Sequence, residues 1–194
     1  MNEFITGFFG KLDTTFKNSE ATDIAGNKLD LRDGMDKAYE LVRRVRETGG
    51  KVIIVGNGGS AGIASHISLD LWKNGGVKSI AFNDPSLLTA LANDLGVERM
   101  FEAAVYEFAE DRDALIAISS SGKSPNIINA VKAANERKCP VITMSGFSPD
   151  NLLRKTGAVN FYAPSMGYGI VETVHAGLYH CLVDMAINDK TASK

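Results

Sequence analysis

This sequence predicts an α/β fold: a doubly wound parallel sheet of five strands, with N-terminal helices. Three observations carry that expectation. Short, continuously apolar runs alternate with helical patterns along the chain. Each run is β-branched or aliphatic on both faces, as a buried parallel strand requires. Two of the runs end in glycine- and serine-rich turns that lead into helices, at 56–60 and 119–124. Sheets of this kind bind ligands beyond the carboxyl ends of their strands.

Residues 2–18 read as a helix with Phe4, Phe8, Leu12 and Phe16 on one stripe, for packing against the domain or a second subunit. Residues 19–30 are polar and irregular. A second helix spans 31–48, with Leu31, Met35, Ala38, Leu41, Val42 and Val45 as its apolar face, and Gly49-Gly50 ends it. Residues 1–48 thus form a helical extension to one domain covering 1–194. The first strand is Val52 to Val55. Gly56-Asn57-Gly58-Gly59 makes a tight turn, and Ser60 is placed to cap a helix running to about Trp72. Further strands are expected at 78–82, 114–118, 140–144 and 158–162. Helices are expected at 86–93, 97–110, 125–137, 150–156 and about 169–188. Pro125 suits the first turn of its helix.

The bulk numbers exclude several classes. With 194 residues and 44% hydrophobic content, one domain can bury an ample core. A net charge of −2 gives no electrostatic case for nucleic acid. Cys139 and Cys181 sit in apolar patterns and read as reduced core residues, and two cysteines cannot build a zinc knuckle. No apolar stretch reaches membrane-spanning length, and the N-terminal pattern lacks a basic region followed by a long apolar run, so a cytoplasmic protein is expected. GNGGSA is neither GxGxxG nor a Walker A loop, and Asp84 stands too far past the turn for a dinucleotide ribose.

Four constellations offer chemistry. Ser119 to Ser124 (SSSGKS) brings four hydroxyls and open amides to a helix N-terminus, which suits a phosphate; the plain alternative is a helix cap. His66 and Asp70 stand four apart on one helix face. Asn93-Asp94 precedes Leu95-Gly96 and is either a helix end or a polar group at a site mouth. The last helix carries Glu172, His175 and His180. Its core stripe is Val171, Val174, Leu178, Leu182 and Met185, so His175 is expected to pack, whereas Glu172 and His180 face elsewhere. Eight residues of straight helix separate Glu172 from His180 by about 12 Å, too far for one ion. Either Glu172 precedes the helix proper, where Gly167 and Gly169 let the chain bend, or the two serve sites contributed by different chains.

V-G-N-G-G-S-A…H, A-N-D-x-G, I-S-x-S-G-x-S-x-N and E-x-x-H-x-x-x-x-H together resemble the sugar isomerase (SIS) fold, and more closely the phosphoheptose isomerase family. The resemblance implies a flavodoxin-like fold and a homotetramer with active sites between subunits. It implies interconversion of sedoheptulose 7-phosphate and D-glycero-D-manno-heptose 7-phosphate through an enediol. Ser119, Ser121 and Ser124 match phosphate-binding serines, and Ser120 stands where threonine is common. Asn57, Gly58, Gly59 and Ser60 match a substrate loop, Asn93 and Asp94 a substrate-contacting pair, with Glu172 also facing substrate. His66, Asp70, Glu172 and His180 match a catalytic and zinc-binding group, with Asp70 and His180 as base and acid. The family usually has Glu at Asp70 and Gln at Glu172, and an arginine before the latter that is absent here. The alternative on the same scaffold is a noncatalytic sugar-phosphate sensor or an interaction protein of the DnaA-binding type. That relative lacks the histidine matched by His180, so His180 favours the enzyme.

Overall fold

The computed structural model describes residues 2–192. Seven strands form one sheet in the order β2-β1-β7-β6-β5-β3-β4. The five expected strands are all present: β3 (Val52–Gly56), β4 (Ser79–Ala81), β5 (Ala114–Ser119), β6 (Val141–Ser145) and β7 (Val159–Tyr162). They pair in parallel throughout.

Two strands were not expected. Residues 19–30 are not irregular: β1 (Glu20–Asp23) and β2 (Lys28–Leu29) form a hairpin, and β1 joins the sheet antiparallel to β7. Asp23 builds its turn. One carboxylate oxygen accepts from the amides of Ala25 and Asn27, both at 2.9 Å, while Gly26 takes φ +84°. Strands of four and two residues are too short for an alternating pattern, so periodicity does not announce them.

Adjacent strand residues point to opposite faces. Val52, Ile54, Ile116 and Ile118 pack with α2 (Leu31–Glu47), α3 (Gly59–Asp70) and α7 (Tyr168–Ala192). Ile53, Val55, Leu115 and Ala117 pack with α5 (Met100–Phe108) and α6 (Pro125–Glu136). The remaining helices are α1 (Asn2–Lys17) and α4 (Pro85–Leu95). Residues 153–155, inside a stretch expected to be α-helical, form a single 3-10 turn.

Other boundaries shift for local reasons. The helix holding His66 does not run on to Trp72: it ends at Asp70 and opens into a π turn, Leu71–Gly75, closed by left-handed Gly76 at φ +69°. Ser60 does not cap α3 either. It is buried inside the first turn, and Gly58 holds the cap position at φ +53°. On α1, Leu12 and Phe16 pack against the core, whereas Phe4 is 74% exposed. Cys139 is buried and Cys181 exposed, so only the first is a core residue. Among the described residues no helix is long and apolar enough to cross a membrane.

His175 packs as expected. It is fully buried, and its Nε2–H donates to the Ser145 carbonyl at 3.0 Å, tying α7 to the end of β6. Burial pushes its imidazole down from 6.5 to about 4. Between those two values the unfolded chain takes up a proton that the folded chain refuses, so stability is lost as pH falls from about 6.5 towards 4. From pH 7 to pH 5 this one group should cost about 2 kcal/mol. Urea unfolding of wild type and His175→Gln at both pH values checks it: the variant should lose less stability between them, and an equal loss in both would contradict the assignment.

Candidate active site

β3 and β5 end side by side, with Gly56 opposite Ile118. Each strand feeds a turn and then a helix, so two helix N-termini open onto one edge of the sheet. A reciprocal amide pair ties the two turns together. Asn57 Nδ2 donates to Asn126 Oδ1 at 3.0 Å, and Asn126 Nδ2 returns the bond to Asn57 Oδ1 at 2.8 Å. Asn126 Oδ1 also accepts from the Ile127 amide in the first turn of α6. Asn126 is the final residue of the serine motif, and its role as the tie went unread in the sequence.

The serines do not simply cap α6. Ser124 occupies the cap position, yet its hydroxyl makes no capping bond. It lies 3.1 Å from Ser119 Oγ, and Ser121 Oγ is 3.4 Å from the same atom. The amides of Gly122 and Lys123 donate to Ser119 Oγ and Ser121 Oγ. Ser120 Oγ is buried and has no hydrogen-bond partner among the described residues. A cluster of hydroxyls with an orphaned donor at a helix N-terminus is arranged for an anion.

The cleft is lined by Asn57, Ser60, Ser119, Ser120, Ser121, Ser124 and Glu172, all expected, together with Tyr168 and Ile118. Its volume is about 110 Å³. Small-molecule sites typically run to about 300–1,000 Å³, so one chain encloses only part of a ligand. Glu172 lies against Gly59, where any Cβ would collide with its carboxylate. That sets a negative group at the positive end of α3.

His66, Asp70 and His180 form a second group. Asp70 Oδ2 is 3.4 Å from His66 Nε2, and the His66 and His180 rings meet edge to face at 5.2 Å between centroids. His66 and His180 are exposed. α3 and α7 therefore run side by side in the same direction, touching at Gly59 with Glu172 and again at His66 with His180. Seven residues on along α3 and eight along α7, the second group lies about 10–12 Å from the first.

The single four-residue metal set is not assembled within a chain. Glu172 does not precede the helix: α7 starts at Tyr168 and continues unbroken to Ala192, which removes the bend that would have joined it to His180. Among the described residues, no three His, Cys, Asp or Glu side chains converge as a metal-holding group. Nor are Asn93 and Asp94 brought to the cleft. They are exposed on α4, and Asn93 donates to Asp94 at 2.8 Å. Asn151 was missed altogether; it lies buried behind the serine loop, in a bend with no periodic signal.

Comparison with known proteins agrees with this geometry. The sequence profile of the SIS domain matches residues 21–146. Phosphoheptose isomerase of Shewanella frigidimarina is 33% identical over 162 residues, spanning 79% of this chain and 82% of that protein. The Aliarcobacter butzleri enzyme of the same name is 31% identical over 165 residues, 82% and 87% of the two chains. The structure of phosphoheptose isomerase from Neisseria gonorrhoeae superposes with a TM-score of 0.82 at 29% identity, covering 95% of this chain and 98% of that one. A phosphoheptose isomerase from Francisella tularensis gives 0.84 at 26% identity, covering 97% and 98%. By profile, sequence identity and fold, this chain belongs to the SIS domain family, as an isomerase of its phosphoheptose isomerase branch.

Proposed function

We propose that this enzyme interconverts sedoheptulose 7-phosphate and D-glycero-D-manno-heptose 7-phosphate through an enediol. The observation that carries this reading is the serine loop, whose Ser119, Ser120, Ser121 and Ser124 line a cleft at a helix N-terminus. Relatives named phosphoheptose isomerase over most of their length support the choice of sugar.

Isomerisation moves a proton between C1 and C2, and a grip on the distal phosphate holds those carbons in place. Ser119, Ser120, Ser121 and Ser124 with the loop amides are that grip. Asn57, Gly58, Gly59, Ser60 and Glu172 contact the sugar hydroxyls. Asp70 is the base at carbon and His180 the acid at oxygen, with His66 between them. An extended open-chain sugar phosphate has the length to reach from the serine cleft to such a pair. The zinc that the family resemblance implies does not fit these residues within one chain, and the steps assigned here use side chains alone. The enzyme works in the cytoplasm.

We also infer that the working form is a homotetramer in which the site is shared. The cleft is too small for a whole ligand, and His66 and His180 are open to water that proton transfer needs excluded. A second copy supplies the missing walls, with the α1 aromatics, Phe4 among them, as contact. Asn93 and Asp94, exposed on α4, would then reach a neighbour's substrate.

Ser121→Ala with Ser124→Ala removes two hydroxyls from a charged group, at roughly 1.5–3 kcal/mol each, so KM should rise on the order of a hundredfold or more with the fold intact. Unchanged affinity in calorimetry would sink the phosphate grip. Mixing experiments test the sharing. Because Asp70 and His180 both flank His66, co-assembling Asp70→Ala with His180→Ala should stay inactive. The cleft stands on the same two helices, so co-assembling His180→Ala with the double serine variant should stay inactive as well. Co-assembling His180→Ala with Asp94→Ala should recover part of the activity, since an intact cleft and acid–base group then meet a neighbour's intact Asp94, and failure of that recovery in verified mixed oligomers would remove Asp94 from the neighbour's site.

A further inference from the structure

We propose that Asn151 is a positioning residue for the serine loop: it holds the left-handed turn at Gly122 and so presents Ser119 to Ser124 to the anion. The inference rests on the reading of that loop as the phosphate grip.

Gly122 sits at φ +62°, and a Cβ there would overlap the Asn151 carboxamide. Asn151 is fully buried. Its Nδ2 hydrogens are shared among three oxygens: Ser145 Oγ at 3.1 Å, the Gly146 carbonyl at 3.2 Å and the Ser148 carbonyl at 2.8 Å. Its Oδ1 accepts from the Arg154 amide at 3.0 Å. One side chain thus folds the whole 145–154 segment around itself. That segment in turn holds the serine loop by its backbone. The Gly146 amide donates to the Ser120 carbonyl at 3.0 Å, and the Leu153 amide donates to the Gly122 carbonyl at 3.1 Å. Asn151 reaches no cleft atom itself, so it acts through the loop. With both carbonyls pinned from behind, the loop backbone is fixed, and with it the serines that line the cleft. The orphaned Ser120 hydroxyl depends directly on this, because the bond from Gly146 fixes its backbone.

The test uses the full-length protein, with calorimetric binding of inorganic phosphate and turnover of sedoheptulose 7-phosphate. Asn151→Ala should weaken phosphate binding and raise KM at least tenfold, while kcat at saturation changes by less than about twofold. Gly122→Ala should weaken phosphate similarly while leaving the bonds of Asn151 to 145–154 in place, so it reads the same contact if Asn151→Ala does not fold. In an Asn151→Ala background, Gly122→Ala should cost less than alone, because the overlap with the carboxamide is gone while the contact with the Cβ at 151 and the positive-φ strain remain. A general loss of stability would instead be additive and would not separate KM from kcat. Unchanged phosphate binding in either folded single variant, or full additivity in the pair, would overturn the positioning role. A wild-type protein that binds no phosphate would overturn the phosphate-grip reading and this inference with it.

Discussion

β3 and β5 pair in parallel and stop at the same level, and that shared end decides where chemistry can occur. A parallel sheet buried on both faces can offer polar groups only at its edges and ends. At this end two helices begin together, so the positive ends of two helix dipoles converge on one spot. The Asn57–Asn126 pair makes one surface of them: without it, the glycine turn and the serine loop would be two independent caps. Serines then fill the space between, and buried hydroxyls there must either pair with each other or await a ligand. Ser119, Ser121 and Ser124 do the first, and Ser120 is left for the second.

The parallel course of α3 and α7 sets the His66, Asp70 and His180 group at a fixed distance from the serine cleft, as the proposed isomerisation requires of a reacting end and a gripping end. Glycine at 59 leaves room for the Glu172 carboxylate where it lies, because a side chain there would displace it. The next point of contact, His66 with His180, follows from helix pitch alone. In the proposed function, substrate length is measured along two rigid rods rather than across flexible loops. The π turn immediately after Asp70 ends one rod where the His66, Asp70 and His180 group ends.

Much of this was legible in the sequence, and the remainder was not for definite reasons. The five parallel strands announced themselves because each is buried on both sides and so continuously apolar. The cleft serines, Asn57 and Glu172 were legible because chemistry dictates their residue types. The β1–β2 hairpin was missed because six strand residues, four of them polar, are too few to show a period, although Asp23 and Gly26 held the turn signal. Ser60 was misread as a cap because residue type cannot show that Gly58, with its positive φ, takes that position. Asn126 closes the serine motif, but its tie to Asn57 is tertiary, and Asn151 sits in an irregular bend that nothing local marks. The start of α7 was left open by Gly167 and Gly169, which permit a bend that the packing of Ile170 and Val171 does not use.

The central claim is proton transfer at C1 and C2 of a phosphosugar held by the serine loop. Incubating the protein with sedoheptulose 7-phosphate in deuterium oxide and following the sugar by NMR tests it most directly. The account predicts that aldose resonances appear and that solvent deuterium enters at the carbons joined by the enediol. A phosphosugar that binds but gives neither aldose nor exchange would contradict it.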